Sequence, residues 1–268
     1  MTTNELSGKI ALITGGGRGI GRATALELAR HGATIVVAAR SQSELEATAQ
    51  EVRALGGEAF VHAVDLTDSR ASRVLIPEIE QRIGNVSVLI NNAGIVGPFG
   101  PTWTPDPALW EQALRVNLIA PFLLVQEAVP QMLAQNWGRI VNVSSAVAQN
   151  PRMRGGPYAA SKAGLDAFTR QLGFELEGTN VITAAIYPGM IDTAMSASVR
   201  AQKPEFVGQV SAAMRTAYTE GKMPTPDVPA RLIAAVVLAE DRSLNGQVID
   251  LRSERGQQLA NTSDSRQH

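Results

Sequence analysis

A tyrosine and a lysine placed four positions apart, Tyr158 and Lys162, are the residues of this chain best suited to proton-transfer chemistry. The chain has only three tyrosines and four lysines, against twenty arginines, so the pair uses its rarest ionisable side chains. Residues four apart share one face of a helix, and an ammonium beside a phenol lowers the phenol's pKa from its usual value of about 10. The pair is therefore predicted to act as a general acid or base near neutral pH.

A second pair with the same spacing, Tyr218 and Lys222, shows that spacing alone is weak evidence. Gly221 lies between these two residues and Pro224 follows them, so we expect a helix to end there. Tyr158, in contrast, opens a segment with the pattern of a helix start. The sequence context therefore favours Tyr158 as the reactive tyrosine.

Two serines, Ser144 and Ser145, follow a predicted buried strand, and Ser145 precedes Tyr158 by thirteen residues. Ligands of open parallel sheets bind at the carboxyl ends of the strands. A serine hydroxyl placed there can donate a hydrogen bond to a substrate carbonyl oxygen, although serine more commonly caps a helix or a turn. Both interpretations stay open, and no histidine close by in the sequence indicates a serine nucleophile.

A glycine-rich segment, Thr14 to Gly21, joins the first predicted strand to the first predicted helix. Its glycines at positions 15, 19 and 21 follow a G-x-x-x-G-x-G spacing. Glycine lets the backbone turn sharply and approach a pyrophosphate, whose charge the helix N-terminus then stabilises. The segment predicts a dinucleotide-binding loop, the alternative being a glycine-rich turn without a ligand.

The end of the second predicted strand indicates which dinucleotide is bound. NAD-binding folds commonly place a carboxylate there, but this chain has Ala39 and Arg40, and no carboxylate until Glu44. A guanidinium pairs with a 2′-phosphate through two hydrogen bonds, and Arg18 offers a second positive charge. We therefore expect NADP(H), with NAD(H) left open because a single arginine is commonly a solvated surface residue.

Apolar, β-rich runs alternate with helical stretches along the chain, and the central runs are apolar throughout. This pattern is typical of strands buried on both faces of a parallel sheet, joined by right-handed helical crossovers. It predicts an α/β fold, a doubly wound parallel seven-stranded Rossmann-type sheet with helices on both faces. The strands are expected at Lys9–Thr14, Thr34–Ala39, Glu58–Val64, Val86–Asn91, Gly138–Ser144, Val181–Ile186 and Gln247–Asp250.

The domain organisation follows from the absence of any repeat or linker, which predicts a single domain over residues 1–252. Prolines and glycines interrupt the helical pattern at about residues 190–229, where we expect a substrate-binding loop. The polar C-terminal tail, residues 253–268, is expected to fray.

Composition excludes several classes of protein. The net charge of -1 and the 4% aromatic content argue against nucleic-acid binding. The absence of cysteine removes thiolate sites, and the three histidines match no metal-ligand spacing, so no metal site is predicted. The segment Met1–Lys9 is polar, and the longest apolar run, Leu232–Ala239, is too short to span a membrane. We expect a cytoplasmic protein with a small-molecule substrate.

Taken together, these residues resemble the short-chain dehydrogenase/reductase family, in its single-domain branch with TGxxxGIG and YxxxK motifs. The resemblance extends from about Ser7 to Asp250. Besides the glycine loop and the tyrosine–lysine pair, the motifs that carry it are Asp65-Leu66, Asn91-Asn92-Ala93-Gly94, Asn117, Ser145, and Pro188-Gly189 followed by Thr193.

The resemblance implies an NAD(P)-dependent oxidoreductase that interconverts a carbonyl and a secondary alcohol by hydride transfer. Tyr158 would exchange a proton with the reacting oxygen, Ser145 would bind that oxygen, and Lys162 would lower the tyrosine pKa and hold the nicotinamide ribose. Asn117 would anchor a water that relays protons. The cofactor would contact Gly15, Gly17, Arg18, Gly19, Ile20, Arg40, Ser41, Asp65, Leu66, Asn91, Ala93, Gly94, Tyr158, Lys162, Pro188, Gly189, Ile191 and Thr193.

The resemblance leaves the substrate and the assembly open. A 3-oxoacyl thioester, a steroid, a sugar and a simple ketone all fit, and an NAD-dependent relative or a catalytically silent dinucleotide-binding protein are the alternatives. Arg152 and Arg154 would attract an anionic substrate group, or lie solvated on a surface loop. A homodimer or homotetramer is implied, although Asp250-Leu251-Arg252 departs from the aspartate and two glycines that often close the family's last strand.

Overall fold

Seven parallel strands form one sheet in the computed structural model, which describes residues 4–265 and the side chains of residues 4–262. The strands are β1 (Ile10–Thr14), β2 (Thr34–Ala39), β3 (Ala59–Ala63), β4 (Val86–Asn91), β5 (Gly138–Val143), β6 (Val181–Tyr187) and β7 (Gln247–Asp250). Their order is β3-β2-β1-β4-β5-β6-β7, and every neighbouring pair is parallel. The predicted doubly wound α/β fold is confirmed, with strand ends within one residue of those predicted.

Helices cover both faces of this sheet. They are α1 (Gly19–Arg30), α2 (Gln42–Ala54), α3 (Ser69–Arg82), α4 (Pro107–Leu114), α5 (Ala120–Ala134), α6 (Gly156–Glu175), α7 (Ala194–Arg200), α8 (Pro204–Val207), α9 (Val210–Thr219), α10 (Asp227–Leu238) and α11 (Glu254–Ser265). Helices α1, α2 and α10 supply side chains to the core on one face, and α3, α5 and α6 to the core on the other. The three layers are those of a doubly wound sheet.

Adjacent residues of the central strands point to opposite faces of the sheet and pack in different hydrophobic cores. Ile13 and Val37 pack on the face covered by α1, α2 and α10, whereas Leu12 and Val36 pack with α3 and α5. All four side chains are at most 1% exposed. Because successive strand residues point to opposite faces and both faces are buried, these strands need unbroken apolar sequence. Burying one such side chain contributes about 1.5–3 kcal/mol.

A continuous helical stretch, Pro107–Ala134, runs through α4, a π-helical turn at Arg115–Ile119 and α5. By length and composition alone, it is apolar enough to cross a membrane. Half of its most apolar window is buried inside the protein, where α5 packs on β4 and against α3. The stretch therefore has the character of a core helix of this domain.

The C-terminal segment differs from the expectation of a frayed tail, which is wrong for the described residues. Residues Glu254–Ser265 form α11, which packs against α10 and buries Ala260 in the core. Leu259 packs against the same core, and Gly256 allows the helix to approach the end of β7 closely. Because the segment is polar on average, its composition does not show that Leu259 and Ala260 pack against the core. Residues 266–268 of the predicted tail lie outside the described residues.

Replacing Gly256 with alanine is expected to lower the free energy of unfolding by about 1–3 kcal/mol. The added methyl carbon would lie 2.2 Å from the Asp250 carbonyl oxygen and 2.9 Å from Leu251 Cα. Thermal unfolding measures the change, with Gln257→Ala on the exposed side of the same helix as the control. Equal unfolding temperatures for the two variants would contradict the docked position of α11.

Candidate active site

The glycine-rich loop after β1 is closed against the loop after β4. Gly15 and Gly19 have φ angles of 64° and 56°, in the left-handed region that L side chains rarely adopt. A Cβ on Gly21 would lie 2.3 Å from the Gly15 carbonyl oxygen. Asn92 donates through Nδ2 to the carbonyl oxygens of Thr14 and Gly15, at 2.9 and 3.2 Å. The loop thus needs glycine for its turn and for its contact with the next loop.

The N-terminus of α1 faces the cleft without a side-chain cap. Its N-cap residue, Arg18, makes no capping hydrogen bond through its side chain, so the first N–H groups of α1 are available to an anion. Thr193, in the loop after β6, lies close by, with Cγ2 3.4 Å from a Cβ built on Gly19. Together with the close backbone turn, this arrangement fits the pyrophosphate of a dinucleotide.

Two arginines border the far end of this loop. Arg40 is exposed after β2, and the neighbouring Ser41 caps α2 by accepting a hydrogen bond from Glu44 N at 3.4 Å. Arg18 pairs with Glu44 at 3.3 Å. A hydrogen bond from Thr67 N, assisted by the charge of Arg40, holds the pKa of the Asp65 carboxyl below its ordinary value. The positive charge of Arg40 is therefore available at the place where sequence predicts a 2′-phosphate.

Lys162 is buried in the floor of the cleft. Its side chain is 3% exposed, and Nζ donates to the Val143 carbonyl oxygen at 2.7 Å. A Cβ on Gly94 would lie 3.7 Å from this Nζ and 3.4 Å from Asn117 Oδ1, so the glycine leaves both groups their room. Burial lowers the pKa of Lys162 to about 8, and the charge of Asp166 acts against this change. The amine is therefore charged at neutral pH.

Tyr158 lies one helical turn before Lys162 on α6, with its ring centroid 5.8 Å from Nζ. Burial raises the pKa of the Tyr158 phenol, and a hydrogen bond with Ser145 opposes this rise. The lowered pKa predicted from spacing alone is wrong in this conformation, because the effect of burial is the larger one. The phenol therefore carries its proton at neutral pH.

The two serines after β5 have different surroundings. Ser145 begins the 3₁₀ turn Ala146–Ala148, where its hydroxyl accepts a hydrogen bond from Val147 N at 3.4 Å, and it also hydrogen-bonds Tyr158. The capping role and the position beside Tyr158 are thus combined in one residue. Ser144 is 2% exposed and donates to the Lys162 carbonyl oxygen at 3.4 Å, which makes it a structural residue of the cleft floor.

Asn117 lies in the π-helical turn and joins two walls of the cleft. Its Nδ2 donates to the Ile95 carbonyl oxygen at 2.9 Å and to Ser161 Oγ at 3.0 Å, while Oδ1 accepts from Ile95 N at 2.9 Å. The residue thereby attaches the loop after β4 to α6. Single π-helical turns are frequent at functional sites because they displace one side chain from the regular helical position.

Asn91, predicted to line the cofactor, turns its side chain into the sheet. It is 2% exposed and donates through Nδ2 to Asn142 Oδ1 at 2.8 Å. Asn142 in turn donates to Thr169 Oγ1 at 2.9 Å. The residue whose side chain reaches the glycine loop is Asn92, which belongs to the Asn91–Gly94 sequence motif but was not predicted to have a role of its own. The sequence feature that could have indicated this role is its position as the first residue after the buried strand β4.

The loop after β6 reaches the cleft from the other side. Gly189 has a φ of 83°, which lets the chain turn directly after Pro188. Ile191 is 4% exposed and packs in the hydrophobic core. Thr193 then begins α7 through a capping box with Ser196. Most of the segment predicted as a substrate loop is helical, because α7, α8 and α9 fall within residues 190–229.

Tyr218 and Lys222 lie at a helix end, as predicted. Helix α9 ends at Thr219, and Tyr218 is 51% exposed and stacks on Arg200, whose Cζ is 3.8 Å from the ring centroid. Lys222 pairs with Glu220 at 2.7 Å. Tyr218 is therefore a surface residue that contacts Arg200 and does not pair with Lys222.

Comparison with known proteins gives these residues a family context. The family model described as short chain dehydrogenase matches residues 9–204. The 3-oxoacyl-(acyl-carrier-protein) reductase FabG of Thermotoga maritima is 34% identical over 259 residues, covering 92% of this chain and 97% of that protein. Among the curated relatives, the matched part spans from 63% to 97% of the relative's own length.

Two solved structures are similar over nearly the whole chain. A metagenomic short-chain oxidoreductase in complex with NADP has a TM-score of 0.75 and 34% identity, covering 91% of this chain and 97% of that one. A variant of actinorhodin polyketide ketoreductase with NADPH has a TM-score of 0.83 and 29% identity, covering 95% of this chain and 99% of that one.

Replacing Asn117 with alanine is expected to lower the free energy of unfolding by about 1–3 kcal/mol, because the part-buried N–H and C=O groups of Ile95 both lose their partner. Chemical denaturation measures this change. Asn150→Ala, at an exposed asparagine near the same cleft, is the control and is expected to be neutral. A stability equal to that of the control would show that Asn117 does not hold the two walls together.

Proposed function

The chain belongs to the short-chain dehydrogenase family, and from that premise we propose that it is an NADP(H)-dependent oxidoreductase that interconverts a carbonyl group and a secondary alcohol. We assign the catalytic roles to Asn117, Ser145, Tyr158 and Lys162. The observation that carries the proposal is the position of Tyr158, which hydrogen-bonds Ser145 and has its ring centroid 5.8 Å from the buried amine of Lys162.

The cleft fits NADP(H), which supplies the hydride when it is bound. The uncapped N-terminus of α1 and the close turn of the glycine loop suit a pyrophosphate, and the exposed guanidinium of Arg40 suits a 2′-phosphate. The similar structures hold NADP and NADPH. The residues proposed to hold the cofactor are those predicted from the sequence, with Asn91 contributing through its backbone only and Asn92 supporting the loop from behind.

Tyr158 donates its proton to the substrate oxygen as that oxygen gains negative charge. Ser145 donates a hydrogen bond to the same oxygen and so stabilises the charge. The phenolate left behind is stabilised by the charged amine of Lys162, which lies over the tyrosine ring. Because burial raises the pKa of the phenol, the proton stays on Tyr158 until the substrate oxygen becomes basic. The site is thus suited to act as a reductase.

For the substrate, we propose a 3-oxoacyl compound or a related ketone with an apolar chain. The relatives in the comparison include the 3-oxoacyl reductase FabG and polyketide ketoreductases. Met190 and Met195 border the cleft and are 41% and 37% exposed, which offers an apolar surface beside the catalytic residues. Arg154 already donates to the Glu205 carbonyl oxygen at 2.9 Å, so Arg152 is the better candidate for an anionic group.

We also propose that the protein forms a homodimer or homotetramer. Phe122 on α5 packs edge to face on Phe168 of α6, with ring centroids 6.0 Å apart, yet it stays 43% exposed. Ile119 beside it is 39% exposed. Large apolar side chains left exposed on one face are typical of a protein–protein interface. A cytoplasmic location stays a prediction from the sequence.

Tyr158→Phe is expected to lower kcat for NADPH-dependent reduction of a 3-oxoacyl thioester by at least about 100-fold, since the proton donor is removed. Calorimetry is expected to show that NADPH still binds. Tyr218→Phe is the matched control and is expected to keep wild-type activity, because Tyr218 stands on the surface. An inactive Tyr218→Phe beside an active Tyr158→Phe would reverse the assignment.

Calorimetric titration with NADPH and with NADH tests the cofactor. NADPH is expected to bind more tightly, and Arg40→Ala is expected to weaken NADPH binding about 10- to 100-fold while leaving NADH binding unchanged, because a charge-assisted hydrogen bond is lost. Arg82→Ala, at an exposed arginine of α3, is the control. Equal binding of both cofactors by the unaltered protein would assign Arg40 to the solvated surface.

A further inference from the structure

A buried acid, Asp166, lies one helical turn after Lys162 on α6 and has no part in the mechanism above. Its side chain is 2% exposed. Oδ2 accepts a hydrogen bond from the Tyr187 hydroxyl, whereas Oδ1 has no hydrogen-bond partner among residues 4–262. A buried carboxylate with a single donor is unfavourable unless a positive charge compensates it.

Lys162 is the positive charge in the right place. Residues four apart on a helix have Cβ atoms about 5–6 Å apart, so Asp166 lies on the same face of α6 as Lys162, one helical turn away. Burial lowers the pKa of Lys162 to about 8, and the charge of Asp166 opposes that change. Each buried charge thus offsets part of the desolvation cost of the other.

Tyr187 connects this pair of charges to the cofactor side of the cleft. It is the last residue of β6 and is followed directly by Pro188 and Gly189. Burial, and next the hydrogen bond to Asp166, raise the pKa of the Tyr187 phenol, so the hydroxyl stays a donor. The hydrogen bond therefore ties the helix of Tyr158 and Lys162 to the strand that leads into the loop after β6.

Two other charged groups act on this position, and of these Arg170 is exposed to solvent whereas Lys162 is buried. Arg170, one turn further along α6, and Asp250, at the end of β7, both act on Tyr187. Asp250 is paired with Arg252 at 2.6 Å. Among the groups facing Lys162, Tyr158 is neutral and β5 contributes the Val143 carbonyl oxygen. Asp166 is accordingly the acid that compensates Lys162.

We propose that Asp166 and Tyr187 form a positioning pair for Lys162, in which Tyr187 holds the Asp166 carboxylate in place and the carboxylate keeps the buried amine of Lys162 protonated. The inference rests on the proposed function, because only the charged amine stabilises the Tyr158 phenolate. Its consequence is that reduction continues to a higher pH than an uncompensated buried lysine allows. Asp166 acts through Lys162 and does not touch the substrate.

The titration of Lys162 tests this coupling without substrate or cofactor. The chain has four lysines, so 13C-labelled lysine gives few resonances, and Lys9, Lys203 and Lys222 serve as internal controls. Asp166→Asn keeps an acceptor for Tyr187 and removes only the charge. We expect Lys162 to titrate about one pH unit lower in this variant, with the other three lysines unchanged. An unshifted Lys162 in folded Asp166→Asn overturns the proposal.

The pH dependence of kcat gives the second readout. Lys162 is charged below its pKa, so lowering that pKa removes activity first at alkaline pH. In Asp166→Asn the alkaline limb of kcat for reduction is expected to move down by about one pH unit, while kcat at pH 6 stays near that of the unaltered protein. If Asp166 had only a structural role, kcat would be lower by the same factor at all pH values and the alkaline limb would not move. That result would overturn the proposal.

Tyr187→Phe is the second variant and decides the matter if Asp166→Asn does not fold. It removes the hydroxyl that holds the Asp166 carboxylate in place, so a smaller shift of the Lys162 titration in the same direction is expected. Tyr218→Phe is the matched control, with no shift expected. An unchanged Lys162 titration in Tyr187→Phe overturns the role of Tyr187.

The two proposals fail in different ways. If the pKa of Lys162 is lower in Asp166→Asn but the unaltered protein shows no NADPH-dependent reduction, the charge coupling is supported and the proposed function is contradicted. If the unaltered protein is active and Tyr158→Phe is inactive, but the pKa of Lys162 is unchanged in Asp166→Asn, only the proposal of the positioning pair is contradicted.

Discussion

The burial of the Lys162 amine is the constraint on which the rest of the site depends. An ammonium taken out of water is tolerated only where acceptors and negative charge surround it. Here the Val143 carbonyl oxygen accepts a hydrogen bond from it at 2.7 Å, Asp166 supplies the negative charge, and Gly94 leaves the volume it needs. These three partners come from β5, α6 and the loop after β4, so the amine can be buried only once the sheet and α6 are in register.

The same burial shifts the pKa values of Tyr158 and Lys162 in opposite directions. Removal from water favours the neutral form of each group, which raises the pKa of Tyr158 and lowers that of Lys162. The result at neutral pH is a neutral acid beside a cation, because Asp166 keeps part of the stabilisation that burial takes from the amine. This combination suits proton donation to an oxygen that is gaining charge, since the cation stabilises the phenolate that remains.

Asparagine side chains hold the loops of the cleft in place. Asn92 joins the loop after β4 to the glycine loop, and Asn117 joins the same loop to α6. An amide offers a donor and an acceptor at a short distance from the backbone, so it can satisfy N–H and C=O groups that no strand or helix pairs. The cleft is therefore preorganised by the protein's own hydrogen bonds.

The sequence by itself determined the parts of this protein that depend on local pattern. Unbroken apolar runs determined the sheet, glycine spacing determined the tight turn between β1 and α1, and Gly221 and Pro224 placed Tyr218 at the end of a helix. Tertiary structure alone decided the direction of the Tyr158 pKa, the docking of α11, and the hydrogen bond that Tyr187 donates to Asp166 across 21 residues of chain. The physical reason is that desolvation and hydrogen-bond partners are supplied by residues far apart in sequence, whose meeting no local pattern encodes.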